Sequence, residues 1–298
     1  MINLVMFHSG LLPDFIEYNF KQIRFFNPDV RVYFLTDSNL VDNDIFGRYD
    51  IIALNKDLFY SDKVKQFESC FNYSSTDFWT LAATRLIYIE KFLKDYNLEN
   101  VYHFENDVLL YYNLEEHHVK FMNFYKNIAI TTGGPDKSMT GFMFIKDYNS
   151  LSMMTNFFVD TLKTYGVRGT MAKYPMDMVN EMSLMKFYGV EKGDDFICNL
   201  PTLPFGDYSK YFNSFNSIFD PASWGQFVGG TRVEGPGAKP QDHYIGVLLK
   251  ENPNWFVQWK KEDDLNVPFF NKDGELTKIN NLHIHSKNLK NYLSKYEL

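Results

Sequence analysis

The sequence predicts a single α/β domain with a mixed, mainly parallel central sheet flanked by helices. Two observations favour this fold. Short apolar runs alternate with a helical pattern in the first 55 residues, and strand–helix–strand units of this spacing form parallel sheets with right-handed crossovers. The 298 residues are 45% hydrophobic and 18% aromatic, which is enough for one large core. The chain shows no internal repeat and no linker, so one domain is expected over residues 1–298.

The first elements are short and clearly bounded. Residues 2–7 are an apolar run and form the first predicted strand. Residues 15–26 carry apolar side chains at helical spacing and stop at Asn27-Pro28, where a helix would end. Residues 30–35 and 51–54 are predicted as the second and third strands.

The later elements begin with a long helix whose N-cap is Ser75, Thr76 or Asp77. It leads into an apolar strand at 101–104, which resumes at 108–110. Further patterns predict strands at 124–132 and 141–145, helices at 151–165 and 176–188, a loop at 166–174, a short helix at 241–250, strands from Val257 to His285 and a basic tail helix.

Composition excludes several classes of partner. A net charge of −7 without a Lys/Arg block argues against nucleic acid and anionic membranes. Cys70 and Cys198 form neither a disulfide framework nor a metal-type spacing, so a reducing cytoplasm is expected. The apolar run at 4–7 is too short for a signal segment, and no run reaches the roughly 18 residues of a membrane span. Nothing in the sequence specifies an oligomeric state.

Three polar residues, Glu105-Asn106-Asp107, interrupt the apolar run that starts at 101. On an extended chain Glu105 and Asp107 point to the same side, and two such carboxylates make half a site for a hard divalent cation. A tight turn with Asn-Asp at its corner explains the same residues equally well. These residues alone leave both interpretations open.

Other polar residues lie where a ligand would bind. Ligands on parallel sheets sit at the carboxyl ends of strands, and His8, Ser9 and Asp37 follow the first two strands. Arg85 lies on or beside the apolar stripe of the long helix, either as a snorkelling surface arginine or as an anion contact.

Together these segments resemble the GT-A glycosyltransferases. The resemblance is carried by residues 103–111 (His-Phe-Glu-Asn-Asp-Val-Leu-Leu-Tyr), 78–85 (Phe-Trp-Thr-Leu-Ala-Ala-Thr-Arg) and 282–289 (Leu-His-Ile-His-Ser-Lys-Asn-Leu), which are similar to a bacterial and viral subgroup. In that family an Asp-x-Asp motif holds Mn²⁺ or Mg²⁺ on the diphosphate of a nucleotide-sugar. This sequence departs from the motif at its first residue, Glu105.

The resemblance implies a nucleotide-binding half at 1–115 and an acceptor and sugar half at 116–298, with a metal-binding segment at the C-terminus. A mixed carboxylate–imidazole shell favours Mn²⁺ over Mg²⁺, and we expect UDP rather than GDP as the nucleotide. The implied roles are metal ligands Asp107 and His285, a metal or ribose contact at Glu105, phosphate cations Lys287 and Arg85, and nucleobase or ribose contacts at Phe7, His8, Ser9 and Asp37.

A carboxylate base is required if the reaction inverts the anomeric centre. The resemblance places an acidic residue followed by Met on an acceptor-side helix, which Glu181-Met182 fits. Asp177, four residues earlier, would share its helix face. Gly133, Gly134, Trp224 and Gln226 suit a sugar pocket, although Trp224 fits the core as well.

The sequence therefore predicts a metal-dependent glycosyltransferase that uses a nucleoside-diphosphate sugar and a glycan or other hydroxyl acceptor. One alternative is a sugar nucleotidyltransferase, but residues 9–13 (Ser-Gly-Leu-Leu-Pro) are not the Gly-rich phosphate loop that such an enzyme needs. The other is a non-catalytic carbohydrate-binding protein, which the aromatic content favours.

Overall fold

The computed structural model describes residues 1–71, 77–134, 137–174, 178–229 and 254–295. In chain order the strands are β1 (Asn3–Phe7), β2 (Arg31–Thr36), β3 (Ile51–Asn55), β4 (Val101–Phe104), β5 (Val108–Leu110), β6 (Ile128–Gly134), β7 (Lys137–Ile145), β8 (Ile197–Asn199), β9 (Phe256–Glu262), β10 (Leu265–Lys272), β11 (Glu275–Lys278) and β12 (Asn281–His283).

The α-helices are α1 (Ile16–Phe26), α2 (Asp44–Arg48), α3 (Asp62–Cys70), α4 (Asp77–Tyr96), α5 (Glu115–Phe124), α6 (Tyr148–Lys173), α7 (Glu181–Lys192), α8 (Phe212–Phe215) and α9 (Trp224–Gly229). Short 3-10 helices cover Ser38–Leu40, Lys56–Phe59, Gly206–Tyr208 and Leu289–Tyr292. Among the described residues, none of these helices combines the length and the apolar character that crossing a membrane requires.

A seven-stranded sheet in the order β3-β2-β1-β4-β7-β6-β8 forms the centre of the molecule. Only β7 runs against the other described strands of this sheet, so the sheet is mixed and mainly parallel, as the sequence predicts. Successive side chains of β1 pack on opposite faces of the sheet: Val5 lies in the hydrophobic core on one face, and Leu4 and Met6 lie in the core on the other. Helices cover both faces, which explains why β1 is a continuous apolar run.

The second sheet element is a two-stranded ribbon that builds the site. The sequence suggests that residues 108–110 continue β4, but the chain turns after Phe104 and leaves the main sheet. β5 pairs instead with β12 in antiparallel register, with Val108 opposite His283. The backbone N–H of Ile284 then donates to the carbonyl oxygen of Asp107 at 2.8 Å. This pairing brings a C-terminal segment beside an acidic motif that lies about 180 residues earlier in the chain.

Three element boundaries, one of a strand and two of helices, differ from the prediction. The strand expected at 124–132 starts at Ile128, because Phe124 ends α5. The helix that precedes residue 166 resumes after a break at Gly166, which has a φ of +62°, so the loop expected at 166–174 is wrong. α7 starts at Glu181 because Asn180 and Ser183 form a reciprocal capping box. The helix predicted for 241–250 and the N-cap candidates Ser75 and Thr76 lie outside the described residues.

Candidate active site

A cavity of about 1050 Å³ opens beside the carboxyl ends of β1 and β4. The predicted site residues among those that line it are Phe7, His8, Ser9, Arg85, Glu105, Asp107, Glu181, His285 and Lys287. His283, Thr140 and Gly141 line it as well. One cavity therefore collects residues from both halves of the chain.

The acidic motif is a tight turn and half of a metal-type cluster at the same time. The backbone N–H of Val108 donates to the carbonyl oxygen of Glu105 at 3.0 Å, which closes a turn over Asn106 and Asp107. Oxygens of Glu105 and Asp107 and a ring nitrogen of His283 lie within 4.8 Å of one another. The turn interpretation is therefore confirmed, and the turn brings the two carboxylates together. The metal-site interpretation stays a prediction.

His283, rather than the predicted His285, is the histidine that faces the two carboxylates. Its Nε2 lies 3.2 Å from Asp107 and 3.3 Å from Glu105. β12 ends at His283, and the backbone N–H of His285 turns back onto the carbonyl oxygen of His283 at 3.1 Å. The alternation of a strand therefore stops between the two histidines. The imidazole of His285 instead lies 3.0 Å from the amide nitrogen of Gln226.

Opposite charges stabilise the ionised form of each group in this cluster. Burial alone would lower the pKa of His283, but Asp107 and Glu105 raise it to about 10. Burial would raise the pKa of Asp107, yet His283 and Lys287 hold it far below the ordinary range. For Glu105, Arg85 and His283 likewise outweigh burial and lower the pKa well below its usual value. The amine of Lys287 contacts Asp107 directly.

Arg85 is a largely buried partner of the acidic motif and not a snorkelling surface residue. Its side chain is 14% exposed, and one guanidinium nitrogen donates to Glu105 and to Thr140, each at 2.5 Å. The same nitrogen lies 3.9 Å from Glu181. Thr140 also donates to Glu105 at 2.7 Å, a contact for which the sequence carries no signal beyond a threonine in a strand.

Glu181 is a buried carboxylate that lines the cavity. The residue is 4% exposed, and its Oε2 is buried without a hydrogen-bond partner among the described residues. Burial raises the pKa of Glu181 to about 7, with Arg85 opposing the rise and Glu105 adding to it. Asp177 lies outside the described residues. α7 begins at Glu181 and not near residue 176 as predicted, and the shared face of Asp177 and Glu181 stays a prediction.

No protein-family model and no curated protein matches the sequence. Among solved structures, mouse xyloside xylosyltransferase 1 in its apo form superposes with a TM-score of 0.52 at 11% identity, covering 72% of this chain and 93% of that chain. The chain has a GT-A fold. Two weaker likenesses have TM-scores below 0.5 and carry no weight: GlyE of Streptococcus pneumoniae (0.43, 12% identity, 67% of this chain and 45% of that one) and an active-site mutant of LgtC (0.42, 13%, 67% and 73%).

The end of β1 and the loop after it form one corner of the cavity. Phe7, His8 and Ser9 line the cavity, whereas Asp37, after β2, is not among the described residues that line it. The carboxylate of Asp37 accepts from the backbone N–H of Gly10 at 2.6 Å and pairs with Lys56 at 3.0 Å. Asp37 therefore holds the loop after β1 instead of facing the cavity.

The predicted sugar-pocket residues are not among the described residues that line the cavity. Trp224 is fully buried, and its ring packs 4.9 Å from that of Phe270, so its core alternative is the one observed. Gly133 and Gly134 are buried within β6. Among the described residues, Gln226 contacts the site through His285.

Proposed function

We propose that this protein is a metal-dependent glycosyltransferase that moves a sugar from a nucleoside diphosphate to a hydroxyl group of a glycan or similar acceptor. The observation that carries the proposal is the convergence of Glu105, Asp107 and His283 in a cavity at the strand ends of a GT-A fold. Ligands of open α/β sheets bind at this edge.

The side chains of the cluster fit a divalent cation. Two carboxylates and one imidazole within 4.8 Å suit Mn²⁺, with Mg²⁺ as the alternative. We assign Asp107 and His283 as ligands, with Glu105 completing the set or contacting the ribose. When bound there, such an ion acts as a Lewis acid that stabilises negative charge on the departing diphosphate.

Lys287 and Arg85 both pair with a carboxylate of the motif, and Lys287 is the more exposed of the two, so we assign it as the cation that meets a phosphate. Lys287 lines the cavity, and its side chain is 31% exposed. At an effective dielectric of about 20, a unit charge about 4 Å from the leaving oxygen contributes roughly 4 kcal/mol, or about three decades of rate. Phe7, His8 and Ser9 would contact the nucleobase and ribose of the donor, for which we propose UDP.

Glu181 is proposed as the general base for an inverting reaction. Its Oε2, which has no hydrogen-bond partner among the described residues, can accept the proton of the acceptor hydroxyl, and a pKa of about 7 lets it hold or release that proton near neutral pH. Arg85 lies between Glu181 and Glu105 and so ties the base to the metal cluster.

The test is a panel of nucleotide-sugars, with and without Mn²⁺, read by thermal shift and by release of nucleoside diphosphate. We expect Mn²⁺-dependent stabilisation and turnover with at least one UDP-sugar. Asp107→Ala should abolish both while the fold persists, whereas Asp195→Ala, at a 70% exposed surface carboxylate, should change neither. Full turnover in chelator, or an unaffected Asp107→Ala variant, would remove the metal from the mechanism.

A further inference from the structure

The imidazole of His283 lacks the support that metal-binding histidines normally have. Such a histidine usually donates from its second ring nitrogen to a carboxylate, carbonyl or water, which fixes the ring. The Nε2 of His283 faces Asp107 and Glu105, yet its buried Nδ1 has no hydrogen-bond partner among the described residues. Another part of the fold must therefore hold this ring in place.

Asp220 holds the backbone of His283. Its carboxylate is 1% exposed and accepts four backbone N–H groups. One oxygen accepts from Ser223 at 2.7 Å and Trp224 at 2.9 Å, and the other from Gly225 at 2.9 Å and His283 at 2.8 Å. Because the second oxygen is shared, the start of α9 and the end of β12 are fixed to each other through this one atom.

Two glycines close around the same histidine. A Cβ atom on Gly225 would collide with the backbone of His283, standing 2.7 Å from its nitrogen and closer still to its carbonyl group. A Cβ atom on Gly141 would stand 2.7 Å from the Nδ1 of His283. Real Cβ atoms are essentially never found within 3.0 Å of such neighbours, so any side chain at either position must displace His283 or its surroundings.

We propose that Asp220, Gly225 and Gly141, the His283 clamp, are positioning residues that hold His283 as a metal ligand. This inference rests on the proposed function, because it assumes that the cluster binds a divalent cation. The clamp does what a hydrogen bond at Nδ1 would otherwise do. Asp220 and Gly225 fix the backbone of His283, and the close approach of Gly141 restricts the position of its imidazole ring. None of the three offers an atom to the metal-type cluster itself.

Asp220→Asn tests the backbone part of the clamp with almost no change in shape. Each carboxylate oxygen accepts two N–H groups. An amide nitrogen in either position would therefore face two donors, and two bonds would be lost whichever way the amide is turned. Gly141→Ala tests the ring separately and leaves these bonds intact. Loss of an outer support typically weakens metal affinity by about 10- to 100-fold.

The probe is Mn²⁺ alone, without nucleotide or sugar. Its dissociation constant is measured for the full chain by electron paramagnetic resonance, and the melting temperature of each variant is measured in parallel. Asp147→Asn, at the N-cap of α6, and Gly47→Ala, with no atom within 4 Å of the added Cβ, are the matched controls. We expect Asp220→Asn and Gly141→Ala to bind Mn²⁺ about 10- to 100-fold more weakly than wild type, and both controls to bind as wild type does. A merely structural role would lower the melting temperature and leave the affinity of the folded protein unchanged.

Two outcomes overturn the inference, and only the second also overturns the proposed function. If Asp107→Ala loses Mn²⁺ but both clamp variants, still folded, bind it as wild type does, the clamp is wrong and the proposed function stands. If Asp107→Ala binds Mn²⁺ as wild type does, the ion is held elsewhere and both fail. Should Asp220→Asn not fold, Gly141→Ala decides the question by the same measurement.

Discussion

Replacing Glu181 with glutamine distinguishes a general base from a structural carboxylate. Burial raises the pKa of Glu181 from its ordinary 4.5 to about 7. Between pH 6 and pH 8 its ionised fraction then rises from about one tenth to about nine tenths. If the ionised form accepts the acceptor proton, the wild-type transfer rate should rise about tenfold over this range. Glu181→Gln should lose about 10²- to 10⁴-fold at pH 8 and lack this rise.

The same variant should not lose stability at pH 8. The folded chain binds the Glu181 proton more tightly than the unfolded chain, so this contribution to stability is complete below pH 4.5 and is lost as the pH rises to about 7. At about 1.4 kcal/mol per pKa unit, the buried charge destabilises the fold by about 3 kcal/mol at pH 8. Removing that charge should raise the melting temperature at pH 8, and have little effect at pH 5.

The assay pairs transfer rates from pH 6 to 8 with calorimetric melting at pH 5 and pH 8. Glu90→Gln is the matched control, because Glu90 is 5% exposed but both of its oxygens accept from Lys63, at 2.7 and 2.8 Å. We expect this control to lose stability and to keep its rate per folded molecule. A Glu181→Gln variant with the wild-type rate at pH 8 would refute the base. A Glu181→Gln variant with a lower melting temperature than wild type at pH 8 would refute the claim that the buried charge of Glu181 destabilises the fold.

Two further predictions concern buried side chains. Arg85→Met removes the cation beside Glu181 and one of the two cationic partners of Glu105, and should cost about 3–5 kcal/mol in urea unfolding. Arg48→Met, at a pair whose arginine is 60% exposed, should cost less than about 1 kcal/mol. An Arg85→Met variant as stable as wild type would contradict the pairing. Trp224→Phe should lower the free energy of unfolding, because packing in the core is lost, and should leave the KM of the donor unchanged. A tenfold higher KM would show that Trp224 contacts the sugar after all.

The central sheet could be predicted because its strands obey local rules. The apolar runs of β1 and β2 are continuous, since helices cover both faces of the sheet, and a helical pattern between them requires a crossover. The full length of α6 is harder to predict, because a local sequence pattern does not distinguish the break at Gly166 from the end of a helix. α7 was misplaced because its start is set by the Asn180–Ser183 capping box, which is weaker as a signal than the apolar residues before it.

The sequence predicts those site residues whose role shows in their immediate neighbours along the chain. Glu105 and Asp107 were recognisable because they interrupt an apolar run, and Arg85 because it accompanies an apolar stripe. The choice between His283 and His285 depends on where β12 ends, which is decided by its pairing with β5 about 170 residues earlier. Asp220 gives no sign of its role in the sequence, because its four partners are backbone N–H groups.

Six of the charged groups among the described residues that line the cavity form one chain of alternating sign. Successive members are in contact in the order Glu181, Arg85, Glu105, His283, Asp107 and Lys287. Once Glu181 is ionised, above its pKa of about 7, three carboxylates face three cationic groups while His283 keeps its proton, so these six charges have little attraction for an anion. A histidine that binds a metal must be neutral, so a bound dication leaves the cluster with one positive charge more than before. The field that draws a diphosphate into the cavity therefore depends on the cation, which gives Glu105, Asp107 and His283 a part in donor binding as well as in bond cleavage.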